Sequence, residues 1–579
     1  MSLMSSLYVG TSGLQTSQNA LNTTAHNLSN IETVGYTRQQ VQQSDKRYVT
    51  LSRTASAVSY QQAGLGVDYS RAKQVRDYFL DKTYRKESGR SAFYEISSTV
   101  MEEVESQLGE LNGKAFQTTM ADFWTSIQEL AKDPSSSVTQ GLLVQRAAEF
   151  LDRGSAVYEG LCSYQDNLNL QVKQQVDKIN DYGNQLLDIN DRIRSIESGN
   201  IERANDLRDT RNQILDELAQ LTDITFSEDY FGNIDVQIEG VDFVKGGMCY
   251  EIGLDEDPVT GFYTAFWPQN ASYITDDNGK KIYTIDGAEV FDFNVEISSD
   301  YNTDVGRLKG MLLARGDHRA DYTDAQGDNY SKVEQSVIMN VQAEFDQLMH
   351  NVVSKINDIF ADAAGRQQGD LEIVNEDGSV ETLSNAKYIV SSPNGYMCSE
   401  EGYPIRMFDK ITSEPYRQVT GTDGNTYWVY NEEQADLKES LYTLRNLQIN
   451  QDLMQRPSSL GLRLEDGSED QATAAALKEA FNEEIYTLNP KVQKRVTFND
   501  YYSDLVSQVA NSGYVYRSIY ESQQNTVESV EGARAQVIGV SSDEELSNMI
   551  KFQNAFNASS RYINAISEML EHIITSMGH

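Results

Sequence analysis

Three cysteines occur in 579 residues: Cys162, Cys249 and Cys398. They lie far apart, in odd number and without a CxxC pair, which excludes a disulfide framework and a zinc site of ordinary spacing. There is no run of 18 apolar residues, so no transmembrane helix and no membrane insertion are expected. The first ten residues, Met1 to Gly10, lack the basic start and apolar centre of a cleaved secretory signal. Basic charge is also short, with 48 Lys and Arg against 87 Asp and Glu. The net charge of −39 argues against nucleic acid and against an anionic membrane surface. The five histidines, His26, His318, His350, His572 and His579, show no metal-ligand spacing, and HExxH is absent. The Gly10-Thr11-Ser12-Gly13 run has no strand before it, so it does not make a nucleophile elbow. Asp276-Asp277-Asn278-Gly279 lacks the ligand ladder of a calcium loop and reads as a hairpin turn. These exclusions leave no catalytic constellation, no metal and no cofactor, and a non-enzymatic protein is expected.

What is present is concentrated at the two ends. The first 38 residues contain neither cysteine nor proline and one acidic residue, Glu32. Leu7, Leu14, Leu21 and Leu28 recur every seven residues, with Leu3 and Ile31 on the neighbouring row. Seven residues are two helical turns, so this stretch predicts a helix with one continuous apolar seam. At the other end Met549, Phe556, Ile563, Leu570 and Met577 repeat at the same step, and Phe552, Ser559, Ile566 and Ile573 follow three residues after members of that row. Ser541-Ser542 and Asp543-Glu544-Glu545 suit a helix N-terminus. Matching heptads predict a terminal helical coiled coil made by residues 1–38 and 541–579. The apolar surface of two such helices is too small to offset the entropy of ordering them. The ends are therefore expected to be poorly ordered alone and to fold when sister copies supply further contacts, as in a self-assembling homo-oligomer.

Charge is uneven in the same sense. Residues 1–90 carry 11 Lys and Arg against 6 Asp and Glu, a net +5, so residues 91–579 carry −44. An acidic body keeps the chain soluble while the near-neutral start can pack.

The chain's length allows three or four domains. Residues 39–90 alternate more than they wind and read as an extended or β arm. Residues 91–221 are helical in pattern; Val172, Ile179, Leu186 and Ile193 stand at sevens, with Leu168, Tyr182, Ile189 and Ile196 beside them. Leu207, Ile214 and Leu221 resume the pattern after Gly199, which predicts an antiparallel hairpin. Residues 222–300 and 366–436 are β-rich insertions, punctuated by Gly232-Asn233, Asn278-Gly279, Asp286-Gly287, Asp377-Gly378 and Asp423-Gly424. Residues 301–365 and 437–535 return to helix, the clearest parts being 333–360, 437–447, 474–481 and 501–530. The expected architecture is mainly α with inserted β domains: a terminal pair, a long helical-bundle stem and two β-rich outer domains.

Several stretches resemble a known family. Gly13-Leu14, Gln18, Ala20-Leu21, Asn27-Leu28-Ser29-Asn30, Thr33 and Gly35-Tyr36-Thr37-Arg38 are similar to the N-terminal signature of rod, hook and hook-associated proteins of the bacterial flagellum. Gly539-Val540-Ser541, Asp543 to Leu546, Ile550 to Phe556 and Ala558 to Arg561 look like the matching C-terminal signature. In the middle, Asn205-Asp206-Leu207-Arg208-Asp209-Thr210-Arg211-Asn212-Gln213-Ile214-Leu215, Gly306 to Leu313 and Phe498 to Val506 resemble segments of the hook–filament junction members of that family. Gly316 to Ala320 departs from the family's pattern.

The resemblance implies a structural subunit of the flagellum, exported without a cleaved signal and located outside the cell. Copies would form a ring or helical turn with hook protein on one side and the second junction protein or filament on the other. The terminal helices would line a central channel, and an export chaperone would hold the C-terminal helix beforehand. It implies Asn27, Asn30, Gly35, Tyr36 and Arg38 as motif residues. The assembly surface expected from the heptads is Leu3, Leu7, Leu14, Leu21, Leu28 and Ile31, with Met549, Phe552, Phe556, Ile563, Ile566, Leu570, Ile573 and Met577. Another flagellar axial protein is the alternative, and a cytoplasmic coiled-coil scaffold a more distant one.

Overall fold

The computed structural model describes residues 3–46, 49–52, 61–109, 116–199, 203–275, 281–375, 377–391, 404–464 and 466–577. Cys398, His579 and the expected turn at Asp276 to Gly279 lie outside these residues.

The chain opens with helix α1 (Leu3–Ser29) and an arm of paired strands, β1 (Gln39–Asp45) with β4 (Val67–Gln74) and β2 (Val49–Ser52) with β3 (Gln61–Ala63). The stem follows as α2 (Tyr78–Gly109), α3 (Phe116–Leu130), α4 (Ser137–Glu197) and α5 (Asn205–Leu221). At 61 residues α4 spans about 90 Å at 1.5 Å per residue. Its seam is the expected one: Leu168, Val172, Ile179, Tyr182, Leu186, Ile189 and Ile193 are all buried, while Ile196 is exposed.

Residues 224–284 carry eight short strands. A four-stranded meander is built from β5 (Ile224–Glu228), β6 (Ile234–Ile238), β7 (Val241–Lys245) and β8 (Met248–Cys249). Two hairpins follow, β9 (Gly253–Glu256) with β10 (Tyr263–Phe266) and β11 (Ser272–Thr275) with β12 (Lys281–Thr284). The stem resumes with α6 (Arg307–Arg315), α7 (Tyr330–Val333) and α8 (Val337–Ala363). Val337, Val341, Phe345, Leu348, Val352 and Ile356 bury one row of α8 in the main core.

A second insertion closes as a small barrel in the order β13 (Gln367–Val374), β14 (Val380–Val390), β17 (Thr426–Tyr430), β16 (Tyr416–Gly421). Gly378 and Gly424 take the positive φ that its tight turns need, as the Asp-Gly pairs predict. The intervening strand β15 (Phe408–Lys410) instead pairs with β18 (Leu447–Ile449) against the stem. Short helices α9 (Gln451–Gln455) and α10 (Gln471–Ala480) precede α11 (Phe498–Ile538) and the terminal α12 (Ser542–Met577). Asp470 and Thr497 accept hydrogen bonds from the first free N–H groups of α10 and α11.

Two expectations need correction. Residues 78–90, expected in the extended arm, are helical from Tyr78. Their positions are read by long-range partners, Arg85 by Asp216 and Arg90 by Asp304, which local alternation does not reveal. The expected helix at 437–447 is a strap of 3₁₀ turns leading into β18. Its backbone groups are taken by side chains: Asp346 accepts the Leu444 N–H at 2.7 Å, and Asn446 Nδ2 donates to the Leu441 carbonyl at 2.9 Å. With those partners, Leu441, Tyr442, Leu444, Leu447 and Ile449 all bury without a helix.

α2 and α11 run antiparallel: Tyr502 donates to the Leu108 carbonyl, Arg517 pairs with Glu102 and Arg534 with Asp81. The stem core is dense, so truncation there is costly. Ile179→Ala is expected to lower stability by about 2–5 kcal/mol in urea titrations. Ile574→Ala, at a site 70% exposed, should change it by less than about 0.5 kcal/mol.

Candidate functional site: the terminal helical pair and its joint

α1 and α12 form the expected pair, and they run antiparallel. A Cβ at Gly10 would lie 2.7 Å from Ile563 Cγ1, and one at Gly13 would lie 3.7 Å from Ser559 Cβ. On α12 the inward row is Glu545, Met549, Phe552, Phe556, Ser559, Ile563, Ile566 and Leu570, spaced alternately by four and three residues. Of these only Glu545 and Ile566 are fully buried; the others are half-buried. In the same register Leu570 faces the first turn of α1. Ile573 therefore lies past the end of its partner and is exposed. Leu3 begins α1 and Met577 ends α12.

On α1 the inward row is not the leucines. It is Ser6, Gly10, Gly13, Ser17, Ala20, Thr24 and Asn27, again spaced by four and three, and all but Gly13 are buried. Small residues let the two backbones approach closely. A hydroxyl group is tolerated there where it bonds back along the helix, as Ser17 does to the Gly13 carbonyl at 2.7 Å. Leu7, Leu14, Leu21 and Leu28 stand one residue further round and are half-buried; Ile31, beyond the helix, is exposed.

The other flank of α1 is covered by the arm. Ser12 Oγ accepts the Val67 N–H at 3.2 Å, and Val9 packs under Gly66. A cavity of about 490 Å³ lies between this flank and the arm, bordered by Tyr8, Gln15, Asn19, Lys46 and Leu65. The helical step of 100° per residue puts the leucine row and the arm on opposite sides of the seam. In an antiparallel pair, residues one step past each seam position share a flank, so exposed Leu546 of α12 joins the leucine row.

The motif at 27–38 is the joint between this pair and the stem. Asn27 is buried, and its amide pairs with the Gln39 backbone at both ends: Nδ2 donates to the carbonyl at 2.8 Å and Oδ1 accepts the N–H at 3.0 Å. The Tyr36 hydroxyl donates to the same Oδ1 at 2.7 Å, and burial beside Asp209 pushes that phenol well above its usual range. Asn30 Nδ2 donates to the His26 carbonyl at 3.0 Å and Oδ1 accepts from Thr33, which closes the end of α1. Gly35 makes the following turn with φ of +81°. Arg38 then reaches the C-terminal helix: Nε bonds Glu545 and Nη1 bonds Glu544, both at 2.9 Å, while its N–H donates to the Ile538 carbonyl.

Below it lies a buried polar network that local patterns did not disclose. Asp209 of α5 accepts the Thr37 N–H at 3.3 Å and Gln74 Nε2 at 2.7 Å; burial raises its carboxyl to about 6. Asp81 receives Arg76 and Arg534. Burial alone would raise its carboxyl, but Arg76, Arg534 and Arg85 hold it below the usual range. Arg534 also bonds Asp216, which Arg85 shares. In the sequence, Thr37 and the Asn205 to Leu215 motif marked part of this site.

Among the described residues no group of three or more His, Cys, Asp or Glu is placed to hold a metal ion, and no helix is long and apolar enough to cross a membrane.

Comparison with known proteins places these features. A family profile described as the flagellar hook-associated protein FlgK helical domain matches residues 101–371. A flagella basal body rod protein profile matches residues 7–37, and the flagellar basal body rod FlgEFG protein C-terminal profile matches residues 536–576. Flagellar hook-associated protein 1 of Bacillus subtilis is 21% identical over 565 residues, covering 98% of this chain and 96% of that protein. The Escherichia coli protein of the same name is 22% identical over 598 residues, covering 97% and 98%. The solved flagellar hook junction protein FlgK from Burkholderia pseudomallei has 13% identity and a TM-score of 0.49, covering 80% of this chain and all of that one. The chain is thus a flagellar axial protein, with rod-type sequences at both ends of a helical stem. Within that class it is similar over nearly its whole length to flagellar hook-associated protein 1 of Bacillus subtilis and Escherichia coli, and its place is the bacterial flagellum.

Cysteines at Gly13 and Ser559 have Cβ spacing within the range of a disulfide. In a background with the native cysteines replaced by serine, Gly13→Cys/Ser559→Cys is expected to cross-link on mild oxidation, and adding Gly10→Val should suppress the bond. Asn27→Ala leaves both Gln39 backbone groups unpaired. It should cost about 1–3 kcal/mol locally, read as lost amide protection at Gln39.

Proposed function

We propose that the chain is a structural, non-enzymatic subunit of the hook–filament junction, joined to its own copies through the open flank of the α1–α12 pair. The observation that carries this reading is the leucine row. Four leucines in heptad register stay half-exposed on the flank that the chain's own arm leaves uncovered. A fold that needed them only for itself would bury them as α4 buries its row.

In this reading Leu7, Leu14, Leu21 and Leu28 meet a second copy, while Phe552, Phe556, Ile563, Ile566 and Leu570 close the seam within one copy. Ile573 and Met577 extend beyond α1 to a neighbour along the axis. Repetition of one heterologous contact gives a ring or helical turn. The terminal pair is the inner layer, the stem surrounds it, and the insertions at 222–300 and 366–436 face outward. Hook protein lies on one side and the second junction protein or filament on the other, outside the cell.

The pair is thin, with two fully buried residues on α12, so it gains most of its order on incorporation. Before that, the exposed apolar residues Ile550, Met569 and Ile574 offer an export chaperone a surface on α12. The profile match across 101–371 favours this reading over a hook or rod subunit, and the flagellar ends favour it over a cytoplasmic scaffold.

Deleting 1–38 or 543–579, or introducing Leu14→Asp with Leu21→Asp, should leave a soluble stem with unchanged thermal unfolding that no longer adds to hook fragments in electron micrographs. Normal addition by the double leucine variant would refute the assigned flank.

A further inference from the structure

The stem contains a carboxyl group with no cation to match it. Glu344 lies in the N-terminal third of α8 and is fully buried. Its Oε1 accepts from Asn489 Nδ2 at 2.8 Å, from Gln508 Nε2 at 3.2 Å and from the Tyr330 hydroxyl at 3.4 Å; Oε2 accepts from Gln508 Nε2 at 3.0 Å. These donors come from α7, from the irregular crossing at 481–497 and from α11, so one side chain ties four segments. The Tyr501 hydroxyl reaches the backbone carbonyl of the same residue at 2.9 Å.

The groups facing it are neutral: Tyr330 on α7, Asn489 on the crossing, and Tyr501 and Gln508 on α11. On the α7 side Glu334 is taken by exposed Lys491 at 2.6 Å. Among the described residues no Lys, Arg or His pairs with Glu344. An ionised carboxylate buried among neutral donors is costly, whereas the neutral acid is not. The Tyr330 hydroxyl can turn from donor to acceptor and take the acid proton.

We propose that Glu344 is a proton-operated clamp in the stem: as the neutral acid it holds α7, α8, the 481–497 crossing and α11 together, and its ionisation loosens them. Burial, partly opposed by the Asn489, Gln508 and Tyr330 bonds, raises the group from 4.5 to about 7. A carboxyl raised in the folded state binds its proton more tightly there than in the unfolded chain. Its contribution is fully present below the unfolded value and is lost as pH rises through about 7. Asp346, two residues along α8, has the same sign. It accepts the Tyr322 and Leu444 N–H groups, burial raises it to about 7, and Asp321 and His350 face it, His350 being paired with Glu433. It ties the 437–447 strap and the loop at 322. The clamp belongs to the stem and stands or falls independently of the assembly flank.

Urea unfolding of the full chain between pH 5.5 and 8.5 tests it. The unfolding equilibrium constant of the native chain should rise about tenfold or more relative to that of E344Q over this range, because glutamine keeps the shape without titrating. The infrared carbonyl stretch of a protonated carboxyl, present at pH 6 and lost by pH 8, should weaken in E344Q. Gln508→Leu removes the amide that makes two hydrogen bonds to the carboxylate and should move that band's titration to higher pH, which keeps the test open if E344Q fails to fold. Equal pH dependence in the native chain and E344Q, or a band that neither substitution alters, would overturn the clamp.

Discussion

The stem helices from which the terminal pair departs are locked together by a buried exchange of charge between Asp81, Asp216, Arg76, Arg85 and Arg534, and the placing of that pair depends on it. Asp81 and Arg85 lie on α2, Asp216 on α5 and Arg534 near the end of α11, so the network fixes three helices at the point where the arm and α12 depart. Buried ion pairs of this kind add little net stability relative to apolar packing, but breaking one partner strands a charge. Their effect is to specify one arrangement. The Asn27 amide, which satisfies both backbone groups of Gln39, and the Arg38 contact to Glu544 and Glu545 carry the same specification into the helical pair. On the proposed reading the ends meet copies of themselves, and this joint fixes the direction in which they leave the stem.

The heptads at both ends were legible because burial in a helical pair imposes a period that needs only one chain to be read. They identified the inward row of α12 and the existence of the pair. They misassigned which row of α1 touches it, because side-chain size and side-chain hydrophobicity point to different rows. The leucines mark where apolar surface is available, whereas Gly10, Gly13 and Ala20 mark where two backbones come together. The second signal was present as small residues at four-three spacing, one position behind the first.

The residues of the joint at 27–38 were marked by the resemblance, but their pairings were not legible, and the reason is separation. Arg38 meets Glu545 across 507 positions, and Arg534 meets Asp81 across 453. A single sequence contains no term that couples residues so distant. The same limit explains the arm's boundary, since α2 begins at Tyr78 in a stretch whose charged residues are read by α5, α11 and the loop at 304. It also explains the strap at 437–447, where Asp346 takes a backbone N–H that a helix would otherwise use. The β insertions fared better because their turns are local: an Asp-Gly pair carries its own conformation.

The contrast between stem and ends follows from these particulars. In the stem, α4 and α8 bury whole rows of side chains, and even polar groups such as Gln165, Asn357 and Tyr501 are enclosed with partners from distant segments. In the terminal pair the contact is narrow, made of glycine, serine, threonine and alanine on one side and half-buried Met, Phe, Ile and Leu on the other. A narrow contact between small residues selects register and direction but supplies little burial, so it leaves the leucine flank with surface still to cover. That unmet burial lies on the open flank of the terminal pair, whereas α4 and α8 cover their own rows. On the proposed reading assembly runs through the ends because the leucines there keep a half-exposed apolar row in helical register, and the joint sets the angle at which that row leaves the stem.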